Sequence, residues 1–337
     1  MILLDIPSIQ SIISNIGLTE FYQRLIFQLE KDFKNWNRFY KSPRHAIHYK
    51  HGVIELMPCS DDNLYSFKYV NGHPNNTKNG NLSVVAMGLL ADVKTGYPLM
   101  ICEMTILTAI RTAAVAALGA KYLAKKNSRK LAIIGCGAQS EFQAKAIQAI
   151  LPIEEINIFD IDKKAMNKFN KNLSADFKKI NLCHNAIDAI SNVDIIITAT
   201  AANKNAILFT EKNISAGTHI HAMGGDGPGK TELGLALLKQ SKLVVEFSPQ
   251  TLVEGEMQQL DESFIHAELW QIICGEKEAR TNDTEITLFD SVGFAIEDYS
   301  ILNLVYEIAL ENNLGEDINL IPDISDPKNL YSLLIKK

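Results

Sequence analysis

The stretch Leu131-Ala-Ile-Ile-Gly135-Cys-Gly137-Ala-Gln-Ser140-Glu-Phe-Gln-Ala-Lys145 joins a short apolar run to a helical pattern through a glycine-rich turn. Glycines allow a tight turn and a close approach of the backbone to a pyrophosphate, and a helix that begins near Gln139 offers free N–H groups there. The third motif position is Ser140 rather than glycine, which weakens the motif taken alone. The next apolar run ends in Asp160, whose carboxylate can accept hydrogen bonds from an adenosine ribose. Because that carboxylate would repel a 2′-phosphate, the pattern favours NAD over NADP.

Short apolar runs alternate with helical patterns throughout the region that follows this turn. Buried parallel strands have continuous apolar sequences, and their alternation with helices is typical of a doubly wound sheet. The runs lie at 131–134, 156–159, 180–183, 193–198, 218–223, 243–247 and 286–289. We therefore predict an α/β fold in which a Rossmann-like, doubly wound parallel sheet occupies residues 126–299 and binds NAD.

The first 125 residues have a mixed pattern that predicts a separate α+β domain. Apolar residues at helical spacing between Phe21 and Phe33 predict an amphipathic helix, and an alanine-rich helix is predicted over about 105–124. A final helix over about 296–312 is predicted to pack back on this domain, which we define as residues 1–125 and 300–337. Strand-like pieces lie at 53–57, 82–86, 88–92 and 98–101.

The composition is that of an ordinary globular protein and excludes several classes. The length of 337 residues suggests about two domains, and a formal net charge of −6 argues against sequence-independent nucleic-acid binding. No charge-free stretch reaches the roughly 18 apolar residues that span a bilayer, and the N-terminus lacks the basic region of a signal peptide. The five cysteines are scattered without metal-ligand spacing. We expect free thiols, no metal site, no membrane partner and a cytoplasmic location.

Four charged residues of the first domain lie in apolar or tightly turned surroundings: Arg44, Glu55, Lys68 and Arg111. Arg111 interrupts an apolar helical face, where a charge is costly unless it is paired. One interpretation is that the cations bind an anionic substrate, since arginine binds carboxylates bidentately. Arg111 could instead serve a cofactor phosphate. For any one of these cations alone, a solvated tip at the end of an element is the commoner explanation.

The run His219-Ile-His-Ala-Met-Gly-Gly-Asp226-Gly-Pro-Gly-Lys230 follows a predicted strand of the parallel sheet. It therefore lies at the carboxyl edge, where ligands bind in open α/β sheets. Asp226 is a candidate functional carboxylate, although an ordinary Asp-Gly turn explains it equally well. A lone His-x-His pair is weak as a metal site, and we interpret these histidines as packed strand residues.

Together these segments resemble the ornithine cyclodeaminase/mu-crystallin family over most of the chain. The ketimine reductases of that family usually lack the aspartate found here at position 226, whereas its archaeal alanine dehydrogenases share more of the pattern. Within the family, the Asn-Gly-His-Pro and Gly-Gly-Asp-x-Pro-Gly-Lys-Thr-Glu-Leu segments are most similar to the cyclodeaminase branch, and the alanine dehydrogenases are the nearest competitor. The matching segments are Glu55-Leu-Met-Pro58, Lys68-Tyr-Val-Asn-Gly-His-Pro-Asn-Asn-Thr77, Arg111-Thr-Ala-Ala114, Gly135-Cys-Gly-Ala-Gln-Ser-Glu-Phe-Gln143, Gly224-Gly-Asp-Gly-Pro-Gly-Lys-Thr-Glu-Leu233 and Asp290-Ser-Val-Gly293.

The resemblance implies a role for each matched position. It implies that Arg44, Lys68 and Arg111 hold the substrate carboxylate and that Val292 lines the substrate pocket. It places Glu55 beside the reacting amine and makes Asp226 the acid/base. Relatives often have a threonine at the position of Ala201, so one cofactor hydrogen bond is missing here or supplied by Thr200. The residues implied to surround NAD are Ser83, Arg111, Thr112, Gly135, Gly137, Ala138, Gln139, Asp160, Thr200, Ala201, His221, Ala222, Met223, Lys230 and Ser291.

The activity implied by the resemblance converts L-ornithine into L-proline and ammonia with NAD used catalytically. A hydride leaves to NAD, the ring closes, ammonia is lost and the hydride returns, so the enzyme is formally a lyase. The family also forms homodimers through the sheet of the substrate-binding domain. Two alternatives stay open: an NAD-dependent amino-acid dehydrogenase or ketimine reductase on the same scaffold, and a non-catalytic nucleotide-binding protein. Lysine or a shorter diamino acid also stays open as the substrate, and so does the carboxylate that takes each proton.

Overall fold

The computed structural model describes residues 1–201 and 206–335. Its strands are β1 (Ile2–Leu4), β2 (Tyr40–Lys41), β3 (His45–Tyr49), β4 (Gly52–Ser60), β5 (Leu64–Gly72), β6 (Ala86–Asp92), β7 (Pro98–Glu103), β8 (Lys130–Ile134), β9 (Glu155–Phe159), β10 (Lys179–Leu182), β11 (Ile195–Thr198), β12 (His219–Ala222), β13 (Lys242–Val245), β14 (Ala267–Glu268), β15 (Thr287–Asp290) and β16 (Glu316–Asp317). Its α-helices are α1 (Ile6–Ile16), α2 (Leu18–Lys34), α3 (Thr105–Leu123), α4 (Ser140–Gln148), α5 (Lys163–Leu173), α6 (Ala186–Ile190), α7 (Leu235–Gln240), α8 (Ser248–Thr251), α9 (Leu269–Ile273) and α10 (Ala295–Asn312).

The apolar runs from residue 131 onward form one parallel sheet, as predicted. Its strand order is β10-β9-β8-β11-β12-β15-β13-β14, and every pair of neighbours is parallel. The chain moves outward from β8 to β10 and then returns to β11 on the other side of β8. This reversal of strand order leaves a crevice at the carboxyl ends of β8 and β11, which is where open α/β sheets bind ligands. The glycine-rich turn of residues 135–139 lies at that crevice.

A second, mixed sheet forms from the first part of the chain. Its order is β16-β1-β7-β6-β5-β4-β2, and β3 also pairs with β4. The prediction of separate strands at 82–86 and 88–92 is wrong, because only β6 forms. Backbone groups of Ser83 and Val85 instead bond to the turn before them: the Ser83 carbonyl accepts from His73 N at 2.7 Å, and Val85 N donates to the Asn71 side chain at 2.6 Å.

Two long helices pack on the sheets, and α3 contacts both of them. α3 packs against α2, α4 and α10 and also contacts β6, β12 and β15. It is long and apolar enough to cross a membrane, but most of its residues are buried inside the protein, as in a core helix. α10 packs on β4, β5 and β6, so the final helix returns to the first sheet as predicted. The domain boundaries given above stay a prediction.

Candidate active site

A cavity of about 190 Å³ lies between the carboxyl edge of the parallel sheet and the inner face of the mixed sheet. Residues from both sheets and from α3 line it, although they are spread over most of the sequence. The structure therefore brings the two predicted catalytic carboxylates together with the predicted cations. The predicted site residues on its wall are Arg44, Glu55, Lys68, Arg111, Thr112, Gln139, Met223, Asp226, Ser291 and Val292.

Two of the cavity cations are held by acidic residues at the start of α10. Lys68 Nζ lies 2.9 Å from Asp298 Oδ1, and Arg111 Nε lies 3.0 Å from the same oxygen. Arg111 Nη1 also lies 2.6 Å from Glu297 Oε2. Burial lowers the pKa of Lys68 to about 8, and the charge of Arg111 adds to that effect while Asp298 opposes it. Each cation is thus compensated before any substrate carboxylate arrives.

The third cation, Arg44, connects the first domain to the loop after β15. Its Nη1 donates to Glu55 Oε2 at 3.2 Å, and its Nη2 donates to the carbonyls of Val292 and Gly293 at 2.6 Å each. Its Nε lies 3.4 Å from Glu254 Oε2. Burial raises the pKa of Glu254 to about 7, although the Arg44 charge opposes the change. The guanidinium therefore links two carboxylates and two backbone carbonyls across the cleft.

Asp226 lies in a backbone turn that a hydrogen bond ties to another segment of the chain. The carbonyl of Gly225 accepts a 2.6 Å hydrogen bond from Gly255 N, which ties the turn to the segment after α8. The Asp226 side chain is 59% exposed, and its Oδ1 lies 2.7 Å from Lys230 Nζ. The carboxylate thus stands at the cavity wall with access to solvent, which suits a group that takes up and returns protons.

The predicted nucleotide turn has the geometry that a dinucleotide requires. Gly135 has φ +99°, and a Cβ there would lie 2.5 Å from the carbonyl oxygen of Ala199, so glycine is needed. A Cβ at Gly137 would meet nothing within 4 Å, which leaves the backbone open to a phosphate. Asp160 Oδ2 accepts from Cys136 N at 2.6 Å and so braces the turn. These residues fit NAD, with Asp160 at the ribose position.

Several residues predicted to contact NAD lie outside the cavity wall. Thr200 donates from its N–H and hydroxyl groups to Glu232, while Ser83 bonds through its carbonyl to the preceding turn. His221 is buried in β12, and neither of its ring nitrogens has a hydrogen-bond partner among the residues that the structure describes. Burial lowers the pKa of His221 to about 3, so the ring is neutral. Four further predicted NAD contacts lie at the nucleotide turn: Gly135, Gly137, Ala138 and Asp160. Of the others, Ala201 is exposed and Ala222 is buried. Lys230 forms an ion pair with Asp226.

Three acidic partners of the cavity cations, Glu254, Glu297 and Asp298, were not predicted from the sequence. Glu297 and Asp298 lie in the first turn of α10, where acidic residues are ordinary because they suit the helix dipole. Glu254 lies in a loop with no motif of its own. The only available signal was the rule that a buried cation needs a partner, and that rule does not say which carboxylate supplies it.

The parallel sheet, its glycine turn and the charged cavity define a dinucleotide-binding enzyme that acts on a small charged substrate. A family model for the ornithine cyclodeaminase/mu-crystallin family matches residues 9–313, and the chain belongs to that family.

Relatives within the family are similar over nearly the whole chain. An ornithine cyclodeaminase of Agrobacterium tumefaciens (strain Ach5) is 46% identical over 333 residues, which cover 99% of this chain and 94% of that protein. A lysine cyclodeaminase solved for its recognition of L-lysine, L-ornithine and L-2,4-diaminobutyric acid superposes with a TM-score of 0.91 at 25% identity, covering 99% of both chains. An archaeal alanine dehydrogenase dimer with bound NAD gives 0.87 at 31% identity, covering 95% and 99%.

Proposed function

We propose that this protein is an ornithine cyclodeaminase that converts L-ornithine into L-proline and ammonia and uses NAD as a recycled cofactor. The observation that carries the proposal is the cavity, in which buried cations lie close to the carboxylates of Glu55 and Asp226 beside the nucleotide turn. The similarity to ornithine cyclodeaminases over nearly the full length supports the same substrate. In this cavity the carboxylate of the amino acid binds the cations, and its two amines face the side-chain carboxylates.

Substrate binding relies on Lys68 and Arg111. Their charges converge on Asp298, and an incoming carboxylate is a further anion that both can bind. Arginine can contact a carboxylate through two parallel hydrogen bonds, which fixes its orientation. Arg44, which forms an ion pair with Glu55, adds a third positive charge to the site. This anchoring sets the direction in which the side chain of the substrate extends.

Proton transfer relies on Glu55 and Asp226. Both amines of ornithine are protonated at neutral pH, and each must lose a proton before it can react. Glu55 accepts the proton of the α-amine, and Asp226 accepts that of the δ-amine, which can then attack C2. Asp226 later returns a proton to the departing amine. Ring closure is favoured because the two reacting groups belong to one bound molecule.

When bound, NAD would supply a hydride acceptor for C2 of ornithine and a hydride donor for the cyclic imine. The nucleotide turn and Asp160 would hold it, and Gln139, Thr112 and Met223 line the cavity beside the substrate cations.

A stoichiometry experiment tests the proposed function. The purified protein is incubated with L-ornithine and less NAD than substrate, and proline, ammonia and NADH are measured. We expect proline and ammonia to exceed the NAD added without accumulation of NADH. NADH that rises in step with an oxidised product would indicate a dehydrogenase. L-Lysine, L-2,4-diaminobutyrate and L-alanine in parallel reactions identify the preferred chain length.

The pKa of Lys68 predicts how binding depends on pH. Burial lowers this pKa to about 8, so the ammonium loses its proton as the pH rises through that value, and attraction for the substrate carboxylate weakens. We expect the Kd of the product L-proline to increase between pH 7 and 9.5, and NADH binding to change little. L-Proline is the useful probe because its own amine titrates above that range. A Kd for L-proline that stays constant over this range would contradict the role of Lys68.

The outer face of the mixed sheet supports a homodimer, which we propose as the assembly. Large apolar side chains on this face are exposed, among them Leu56, Tyr65 and Met87, the last of which is 52% exposed. Contiguous apolar patches of this kind mark protein interfaces, and the archaeal alanine dehydrogenase neighbour is a dimer. A cytoplasmic location, suggested by the unpaired cysteines, stays a prediction.

The replacement Met87→Glu tests the dimer interface. A carboxylate on that face would be buried without a partner in the dimer, so we expect the variant to sediment as a monomer. Phe27→Glu is the matched control, because Phe27 is exposed on α2 away from the sheet. Sedimentation velocity separates the two states. The interface is wrong if Met87→Glu remains a dimer or if Phe27→Glu alone dissociates it.

A further inference from the structure

A buried glutamate holds the short loop after β15 that carries two of the predicted ligand contacts. We call residues 291–293 the substrate loop, since Ser291 and Val292 both line the cavity. Glu246, which follows β13 and is 1% exposed, accepts from Val292 N at 3.1 Å and from Gly293 N at 2.8 Å. Its other oxygen accepts from the Ser291 hydroxyl. One carboxylate therefore satisfies three donors of the loop.

Arg44 and Gln250 hold the same loop through its carbonyl groups. Arg44 Nη2 donates to the carbonyls of Val292 and Gly293. Gln250 Nε2 donates to the Gly293 carbonyl at 2.8 Å, and its Oε1 accepts from Arg44 N at 3.3 Å. Gly293 has φ +81°, and a Cβ there would lie 2.5 Å from Arg111 Nη1, so the guanidinium packs directly on the loop.

A second buried carboxylate, that of Glu297, lies beside Glu246. Glu297, which is paired with Arg111, has a pKa well above the ordinary value because of burial and the neighbouring charge of Glu246. The three donors of the loop therefore bond to a carboxylate inside the protein rather than to solvent.

We propose that Glu246 is a positioning residue, which sets the substrate loop so that Ser291 and Val292 meet cofactor and substrate in one geometry. The proposal rests on the proposed function for the roles of those two residues. Glu246 acts through the loop, since its oxygens are occupied by loop donors. Misplacement of a substrate-positioning group by about 1 Å can lower a rate on the order of 100-fold.

Hydrogen–deuterium exchange of the protein without ligands tests the mechanical part of the proposal. The Val292 and Gly293 amides are expected to exchange slowly in the wild type and faster in Glu246→Gln and Glu246→Ala, with alanine having the larger effect. Glu268→Gln is the matched control, because Glu268 accepts from Ser248 N and the Trp270 indole but does not line the cavity. Fast exchange of these amides in the wild type would overturn the proposal even if no variant folds.

Kinetics of the folded variants test the functional part. We expect Glu246→Gln to lower kcat/KM for L-ornithine on the order of 100-fold and to release NADH and cyclic imine alongside proline. Glu268→Gln is expected to keep the wild-type product ratio. A Glu246→Gln enzyme with loosened loop amides but unchanged kcat/KM and product ratio would overturn the positioning role. A wild type that forms no proline would overturn the proposed function instead, and exchange would still report on the loop.

Discussion

Replacing Asp226 with asparagine is expected to lower kcat for proline formation on the order of 100- to 10,000-fold, the usual contribution of a general acid–base group. The amide keeps the shape of the side chain but cannot accept a proton from the δ-amine. NADH binding should persist, because the nucleotide turn and Asp160 lie elsewhere. The measurement is single-turnover proline formation together with a fluorescence titration of NADH.

Asp176→Asn is the matched control for this replacement. Asp176 also forms a partly exposed ion pair with a lysine, with its Oδ1 2.8 Å from Lys145 Nζ, but it lies on the far side of α4 from the cavity. Its replacement should leave kcat unchanged. Substantial proline formation by Asp226→Asn, or an equal loss in Asp176→Asn, would remove Asp226 from the mechanism.

Replacing Lys68 with methionine is expected to raise KM for L-ornithine on the order of 100-fold, because charge-assisted bonds to the substrate carboxylate are lost. The single variant also leaves Asp298 with Arg111 as its ion-pair partner, so we expect a loss of stability below the roughly 3–5 kcal/mol of a buried charge left without any partner. The double variant Lys68→Met/Asp298→Asn removes both charges of the pair. It should recover thermal stability without recovering affinity.

This pair of variants separates folding from binding at Lys68. Lys121→Met is the control, since Lys121 forms a partly exposed ion pair with Glu30 on the outer side of α3. Melting temperatures and KM values are measured for all three proteins. If the double variant regains wild-type KM together with its stability, Lys68 is structural and the carboxylate is bound elsewhere.

The parallel sheet was predictable because seven of its eight described strands carry their own apolar signal, whereas the two-residue β14 was not predicted. A buried strand such as β8 or β11 is a continuous apolar run, and a glycine turn followed by a helix gives the direction of the chain. The mixed sheet was harder to predict. Residues 82–85 are apolar enough for a strand, but their backbone groups bond to Asn71 and His73 instead of forming a strand. The local sequence pattern gives no sign of these bonds.

The residues of the site were predictable only where they belong to a recognisable sequence motif. Lys68 and Arg111 stand in recognisable segments, whereas their partners on α10 are separated from them by 230 and 186 residues. Glu246 likewise lies at a strand end with no motif, and it bonds to the substrate loop 45 to 47 residues further along the chain. One sequence shows that a buried charge needs compensation, but only the folded chain shows which residue provides it.

In the proposed mechanism, the hydride taken from C2 of ornithine returns to C2 of proline within the same active site. Mass spectrometry of proline formed from [2-²H]-L-ornithine, with less NAD than substrate, tests this step directly. We expect proline that retains deuterium at C2 over many turnovers. Deuterium that accumulates in NADH, or proline that carries only protium at C2, would contradict it.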